Sequence, residues 1–302
     1  MEKINKLKKL FNYYNLDGYI VPKNDEFFGE YIPENKDKLK FISNFSGSYG
    51  FALILKNKNY LFVDGRYTLQ AKIQSGKFFD IVTIPNRFPS DVLKKKRLKI
   101  GFDPRLHTQK TLKIFFNKTN CKLVNINQNL IDKLWIKKEN SNLKRFYILP
   151  QKAVGQNYRL KINKLINVLN KKKIDFQFIS ASENIAWLLN IRGQDSEFTP
   201  MPNAYLALDS NKKINLFCDL KKIEYSFKKK FKNIKFIDIK YTDLFLAKIK
   251  NKKILIDSSS CSIYFENILK KNNKIAEFLD PIYFLKSIKS KIEIKNTIKS
   301  HI

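Results

Sequence analysis

The chain contains the stretch FALILKNKNYLFVD at residues 51–64, in which two apolar runs flank the polar turn Lys56–Asn59 and the second run ends at Asp64. Asn and Lys between two β-rich runs are ordinary turn chemistry for a β-hairpin. The second half repeats the arrangement as AYLALDSNKKINLFCD at residues 204–219, where the second run again ends in an aspartate, Asp219. The two stretches predict equivalent hairpins and therefore an internal duplication.

The elements predicted around the two hairpins follow the same order. Each hairpin leads into a helix, a strand, a second helix and a strand that ends in an aspartate, at Asp103 and at Asp257. The hairpin aspartate and this second aspartate are 39 residues apart in the first half and 38 in the second. Strands alternating with helices beside a hairpin predict two tandem, similar α/β domains with mixed sheets. The helices predicted directly after the two hairpins are Tyr67–Ser75 and Lys221–Phe231.

The domain boundary is predicted from the opening helices and from the composition of the join. Ile4–Tyr14 opens the first half as an amphipathic helix, and apolar residues spaced along Ile162–Leu169 open the second. Ile136–Gly155 between them is rich in Lys and Asn and contains Pro150. We therefore expect a first domain over residues 1–137 and a second over residues 155–285.

The last residues do not fit the repeat. After Asp280, the run Phe284–Ile302 spaces apolar residues between Lys, Glu and Asn in a helical pattern. We expect one amphipathic helix here, interrupted by the end of the chain. Residues 286–302 are thus assigned to the start of a further domain.

The formal charge of +32 raises the question of a nucleic-acid partner. Most of the basic residues are Lys, and they occur along the whole chain without a basic tail. Arg, which reads base edges through its bidentate fork, is scarce. The pattern favours a solvated lysine surface over a specific nucleic-acid site.

Cysteine usage and hydropathy indicate a cytoplasmic protein. Cys121, Cys218 and Cys261 are odd in number and far apart, as expected for reduced thiols rather than a disulfide framework. No run of 18 apolar residues is present, and the charged N-terminus lacks the apolar core of a signal peptide. We expect no membrane partner.

No complete catalytic or metal-binding motif is recognisable in the sequence. The chain has two histidines, His107 and His301, and the pattern around His107 favours a structural role over a Cys–His pair. A two-metal site needs several converging carboxylate or histidine ligands, and no such cluster can be assembled from the 27 acidic residues. We assign no catalytic residue and no metal ligand.

Three loops carry the residues with the strongest functional pattern. Asp64 can cap the following helix while Arg66 projects from its first turn, or the two can simply pair with each other. Arg192 on a glycine-containing loop can hold a carboxylate of a ligand or pair with Asp195. A third loop, Ser46–Gly50, has glycines that permit positive φ angles or close backbone approach, or it is a plain connection before a strand.

Several long motifs resemble one family. They are LDGYIVP (16–22), FISNFSGSYG (41–50), DGRYTLQA (64–71), GFDP (101–104) and ENIAWLLNIRGQD (183–195). In order and spacing they resemble the cytosolic type of Xaa-Pro aminopeptidase, over about residues 7 to 302. That family carries two creatinase-like domains ahead of a pita-bread metallopeptidase domain, and the final residues are similar to the first helix of that third domain.

The resemblance implies a function for the whole enzyme and a supporting role for this chain. The family releases an N-terminal residue that precedes proline, with two divalent metal ions, usually manganese, in the third domain. This chain would then bind no cofactor and be inactive alone. Short proline-containing peptides and a second copy in a homodimer are the expected partners. The candidates for a substrate cleft or interface are Asp64, Arg66, Tyr67, Arg192 and Asp195.

Two other hypotheses stay open at this point. One is a stand-alone binding or dimerisation module without peptidase activity. The other is a basic nucleic-acid-binding protein, which the scarcity of Arg disfavours.

Overall fold

The computed structural model describes residues 1–136, 143–196 and 198–302. The chain divides into two compact units, Met1–Asn140 and Ser141–Ile302. Each unit is built around a six-stranded mixed sheet.

The first unit begins with helix α1 and alternates strands and helices after its hairpin. Its elements are α1 (Glu2–Tyr13), β1 (Gly18–Pro22), α2 (Lys38–Ser43), β2 (Gly50–Leu55), β3 (Asn59–Asp64), α3 (Thr68–Ser75), β4 (Asp80–Ile84), α4 (Pro89–Leu93), β5 (Lys99–Phe102), α5 (Gln109–Phe116) and β6 (Lys122–Asn125). The strand order is β4-β3-β2-β1-β5-β6, with β2 antiparallel to both neighbours and the other pairs parallel. The register pairs Gly18 with Leu55 and Tyr60 with Asp80.

The second unit repeats this plan and adds elements at both ends. Its elements are β7 (Tyr147–Ile148), α6 (Gln151–Val154), α7 (Tyr158–Lys171), β8 (Phe176–Ile179), α8 (Ser182–Leu189), β9 (Ile191–Arg192), β10 (Ala204–Asp209), β11 (Ile214–Cys218), α9 (Tyr225–Lys230), β12 (Ile234–Asp238), α10 (Thr242–Ala247), β13 (Lys253–Ile256), α11 (Ile263–Lys270), β14 (Lys274–Glu277), α12 (Pro281–Ser287) and α13 (Lys291–Ser300). The strand order β12-β11-β10-β8-β13-β14 matches the first sheet, and β10 is the antiparallel strand.

The central strands are buried along their whole length. Every residue of β1, β2 and β8 is buried, so these strands are nearly continuous apolar runs rather than alternating ones. This is the pattern of a sheet covered on both faces by helices. Helix α1 contributes to that cover because Ile4, Leu7 and Phe11 lie on one face and are buried.

The internal duplication is confirmed in detail by matching contacts. Asp64 is the last residue of the second hairpin strand and Asp219 directly follows the equivalent strand, and each caps a short 3₁₀ helix, Gly65–Tyr67 and Leu220–Lys222. At the opposite edge, Asp17 accepts the backbone N–H of Lys99 at 2.9 Å, and Asp175 accepts that of Lys253 at 2.8 Å. The predicted α/β class with two similar domains is therefore correct.

Two predicted helices are wrong in extent. The helix expected over Lys221–Phe231 is two elements, the 3₁₀ turn Leu220–Lys222 and α9, because Asp219 and Glu224 each begin a separate helical turn. The helix expected over Phe284–Ile302 is broken between α12 and α13. Ser290 caps the backbone of Glu293 while the Glu293 carboxylate accepts the Ser290 N–H at 2.8 Å, so a new helix starts there.

Helix α12 packs in the second unit. Ile282 is fully buried, and Leu285 packs against the same core. The expected domain end at residue 285 thus falls inside a helix that the second unit buries. In the described part of the chain, no helix is both long and apolar enough to cross a membrane.

Candidate functional site at the carboxyl edges of the sheets

In the first unit, the candidate residues lie at one edge of the sheet. Five of the six strands run in the same direction, so their carboxyl ends meet at one edge, and β2 begins there. The carboxyl edge of such a sheet is where ligands usually bind in α/β folds. Asp64, Arg66 and Tyr67 leave β3 at this edge, beside the loop Ser46–Tyr49 that enters β2.

Asp64 and Arg66 pair with each other, as one of the two sequence interpretations expects. An Asp64 carboxylate oxygen accepts the backbone N–H of Arg66 at 2.9 Å and its Nε at 2.8 Å. The hydrogen bond from Arg66 lowers the pKa of Asp64 and keeps the carboxylate charged. The Arg66 side chain is 70% exposed, so the pair sits in solvent. A fixed, exposed guanidinium of this kind can receive an anionic group of a ligand.

Tyr67 joins this pair to the glycine loop. Its hydroxyl lies 2.8 Å from Ser48 Oγ, and its ring packs edge-on against Phe45 at 5.9 Å between centroids. The Arg66 guanidinium lies 5.3 Å from the Tyr67 ring centroid. Ser48 Oγ also donates to a carboxylate oxygen of Glu30 at 3.5 Å. Residues from two of the sequence motifs, together with Glu30, thus form one polar surface.

The glycines of the loop are required by close approach. A Cβ on Gly50 would lie 2.6 Å from the carbonyl oxygen of Phe62, and one on Gly47 would lie 2.2 Å from the Phe45 ring. No real side chain tolerates such distances, so the close-approach interpretation of this loop is confirmed.

A further set of charges at this edge was not predicted. In the loop after β1, Lys23 lies 2.5 Å from a carboxylate oxygen of Asp37, and Lys36 contacts both Asp25, at 3.6 Å, and Glu26. Burial raises the pKa of Asp25 although Lys36 lies beside it. In the sequence these residues look like ordinary loop charges, and only their position directly after the motif LDGYIVP (16–22) marks the segment as unusual. The ion pairs hold a long loop against the edge of the sheet.

In the second unit, Arg192 and Asp195 do not pair, and the expectation that they might is wrong. Arg192 Nη1 donates to the carbonyl oxygens of Ala186 and Ile191 at 3.1 and 2.8 Å. Its side chain folds back over the end of α8, and burial lowers its pKa. Asp195 instead accepts the Asn203 backbone N–H at 2.7 Å and forms an ion pair with Lys222. The two residues are close in sequence, but the loop turns the Arg192 and Asp195 side chains toward different elements, so the expected pair does not form.

The comparison with family models identifies both units. One model, described as the Creatinase/Prolidase N-terminal domain, matches residues 3–134, and a second model of the same description matches residues 137–293. The chain belongs to the creatinase/prolidase N-terminal domain family. The resemblance noted from the sequence motifs is therefore confirmed.

Relatives of these creatinase/prolidase N-terminal domains are named as Xaa-Pro aminopeptidases. The chain is 30% identical over 321 residues to a probable Xaa-Pro aminopeptidase P of Laccaria bicolor, covering 100% of this chain and 49% of the relative. It is 29% identical to Xaa-Pro aminopeptidase 1 of Dictyostelium discoideum, over 100% of this chain and 51% of that one, and 31% identical to the Drosophila melanogaster enzyme ApepP, over 95% and 49%. The chain spans about half the length of these relatives.

A solved structure shares the fold. The X-prolyl aminopeptidase of Caenorhabditis elegans, described as a cytosolic enzyme with a di-nuclear active site, aligns with 99% of this chain and 53% of its own, with a TM-score of 0.87 at 24% identity.

The buried carboxylates of these creatinase/prolidase domains hold loops in place by accepting hydrogen bonds. Asp103 accepts the Asn129 amide at 2.9 Å, and Asp257 accepts the Asp280 backbone N–H at 3.0 Å. Asp280 in turn accepts the amides of Gln177 and Asn184 at 2.9 and 2.8 Å. Burial raises the pKa of both Asp103 and Asp280. These acids therefore act as structural hydrogen-bond acceptors.

The described residues do not fit a metal site of their own. Across residues 1–136, 143–196 and 198–302, no group of three or more His, Cys, Asp or Glu side chains could hold a metal ion. His107 is buried with its ring edge against Phe102 at 5.5 Å, and burial lowers its pKa to about 3. Burial raises the pKa of Cys218 to about 12 and that of Cys261 as well, so both thiols stay protonated. The structural role expected for His107 agrees with these surroundings.

Proposed function

We propose that this chain forms the non-catalytic N-terminal part of an Xaa-Pro aminopeptidase, which removes an N-terminal residue preceding proline. The observation that carries the proposal is the share of each relative that this chain covers. The chain aligns over its whole length with two proteins of that name and over 95% of its length with a third, but it spans about half of theirs. Its two units match models of creatinase/prolidase N-terminal domains.

The chemistry belongs, in this proposal, to the part of the relatives that this chain does not span. Two divalent metal ions, manganese in our proposal, would activate water there for peptide hydrolysis. The described residues offer no ligand set for them. The whole enzyme would act in the cytoplasm on short proline-containing peptides and would form a homodimer.

The role proposed for the candidate residues at the carboxyl edges of the sheets is to bind and orient the peptide or the partner subunit. Arg66 is the best-placed group of the first unit, because Asp64 and the Tyr67 ring fix a guanidinium that remains exposed. A charge-assisted hydrogen bond from such a group to a carboxylate is worth about 1.5–3 kcal/mol. In the second unit, Arg192 contacts the backbone of α8, and Asp195 contacts the backbone of the loop before β10.

Activity measurements on the purified chain test the proposal. We expect no release of the N-terminal residue from a fluorogenic Xaa-Pro peptide, with or without added manganese, while the full-length Dictyostelium relative serves as positive control. Metal-dependent cleavage by residues 1–302 alone would overturn the assignment of catalysis to the remaining part.

A pair of arginine variants in the longer protein tests the role of Arg66. We expect Arg66→Ala to lower kcat/KM for Xaa-Pro peptides or to weaken dimerisation by about tenfold or more. Arg97→Ala is the matched control, since Arg97 is an exposed arginine of the same unit, in the connection before β5 at the opposite edge. Equal effects of the two substitutions would show that Arg66 has no specific role in binding the peptide or the partner subunit.

A further inference from the structure

The amino edge of the second sheet carries a dense row of lysines, which we name the lysine rim. The connections that reach this edge are residues 171–175, 209–213, 228–233, 248–253 and 270–274. Together they contain sixteen lysines and two acidic residues, Asp175 and Asp209. These lysines are far apart in sequence, and the sheet topology brings them to one edge.

The opposite edge of the same sheet has the reverse charge. The described connections there, residues 180–184, 193–196, 198–203, 219–224, 238–243, 257–262 and 278–281, contain eight acidic residues and three lysines. A general bias toward lysine would affect both edges alike. The separation of lysines at one edge from acidic residues at the other therefore reflects the fold of this unit and not its overall lysine content.

The lysines of the rim are available to a ligand. All are exposed except Lys253, which is half-buried. Within the described residues, none lies in a salt bridge with a carboxylate. The two acids of the rim are used locally, because Asp175 accepts the backbone N–H of Lys253 and Asp209 accepts those of Asn211 and Lys213.

At one end of the rim, residues 250–253 and 270–274 line an open depression of about 630 Å³, and every lining residue is Lys or Asn. The asparagines join the two loops. Asn273 Oδ1 accepts the Lys252 N–H at 3.0 Å, its Nδ2 donates to the carbonyls of Ile249 and Leu269, and the backbone N–H of Asn251 donates to the Asn272 carbonyl. The lysines thus project from a hydrogen-bonded frame, which lowers the entropy lost on binding.

The rim is long enough for several phosphates. Strands β12 and β14 lie at the two ends of the sheet, five strand spacings apart, or about 24 Å. At the β12 end, Tyr225 is 73% exposed beside Lys228, Lys229 and Lys232, and the Lys229 ammonium lies 4.8 Å from its ring. An exposed ring among lysines provides a stacking surface for an unpaired base.

We propose that the lysine rim binds the phosphate backbone of single-stranded nucleic acid without sequence preference. A line of ammonium groups without carboxylate partners complements a linear chain of phosphates, and counterion release supplies the binding free energy. Lysine without arginine provides charge but no base-specific fork, so sequence is not read. This binding does not depend on the peptide hydrolysis that we propose for the whole enzyme.

Two variants with the same loss of charge test the proposal in the full 302-residue chain. The rim variant is K250Q/K252Q/K270Q/K271Q/K274Q, and the control variant is K144Q/K152Q/K291Q/K295Q/K299Q, whose lysines are exposed but lie outside the rim. Binding of a fluorescein-labelled 20-nucleotide single strand of mixed sequence is measured by anisotropy over a salt series. Unchanged circular dichroism confirms that both variants fold.

We expect the rim variant to raise Kd by about tenfold or more at low salt. The slope of log K against log salt should fall by about 3.5 if each of the five lysines contacts one phosphate. The control variant should stay near wild type. Equal losses in both variants would show that binding depends on total charge and would overturn the proposal. The proposal would also be overturned if the chain did not bind the single strand, or if it bound phosphatidylserine vesicles and not the single strand.

Discussion

Replacing Ile282 by alanine tests whether α12 is part of the second unit. Ile282 is fully buried in the core of that unit. Its backbone N–H donates to Asp280 at 2.9 Å, and Asp280 is held by Gln177 and Asn184. Truncation of a buried isoleucine to alanine leaves a cavity and costs about 3 kcal/mol within a usual range of about 2–5.

For a unit of this size, about 1 kcal/mol corresponds to a shift of roughly 3 °C, so Ile282→Ala should lower its Tm by about 9 °C. Ile298→Ala in α13 is the matched control, because the same side chain is 58% exposed there. The control should change stability by less than about 0.5 kcal/mol. Thermal and urea unfolding followed by circular dichroism give both values. A shift below about 2 °C for Ile282→Ala, or equal shifts for the two variants, would refute the assignment of α12 to this core.

Three other predictions follow from particular contacts. His107 is neutral in the fold, with a pKa of about 3 against about 6.5 when unfolded, so the unfolded state binds more protons at acidic pH and stability falls as the pH drops below about 6.5. The loss between pH 7.5 and 5 should be about 2 kcal/mol by urea unfolding and should disappear in His107→Phe; an unchanged pH dependence in that variant would contradict the buried neutral state. In a double-mutant cycle, Asp195→Ala and Lys222→Ala should couple by about 1–2 kcal/mol, whereas Asp195→Ala and Arg192→Ala should add within about 0.5 kcal/mol. Strong coupling between Asp195→Ala and Arg192→Ala would show that these two side chains interact after all. Deleting residues 287–302 should lower Tm by less than about 4 °C, because α13 has no buried residue, and hydrogen exchange should be fast there; a larger fall would show that the tail is integral to the fold.

The repeat of strands and helices was predictable because each half has the same local patterns in the same order. The buried strands are continuous apolar runs, and aspartates mark the end of a hairpin or strand. Asp64 and Arg66 are two residues apart on a tight turn, so their pairing depends only on local geometry. Such short-range features follow from the sequence.

The failures concern features that local patterns do not contain. The break before α13 was signalled by Ser290 and Glu293, a capping box, but the apolar period of the flanking residues continues through it. Lys222 as the partner of Asp195 depends on the fold, because 27 residues separate them. The lysine rim likewise appears only once the sheet order is known, since its five connections are spread over a hundred residues.

The transcript beyond the codon for Ile302 provides the most direct test of the central claim, that this chain is the front part of a metallo-aminopeptidase. We predict that the reading frame stays open for roughly as many codons again, since the relatives are about twice as long, and that it encodes clustered acidic and histidine metal ligands. A stop codon directly after Ile302 in the mature transcript would contradict the claim and favour a stand-alone module.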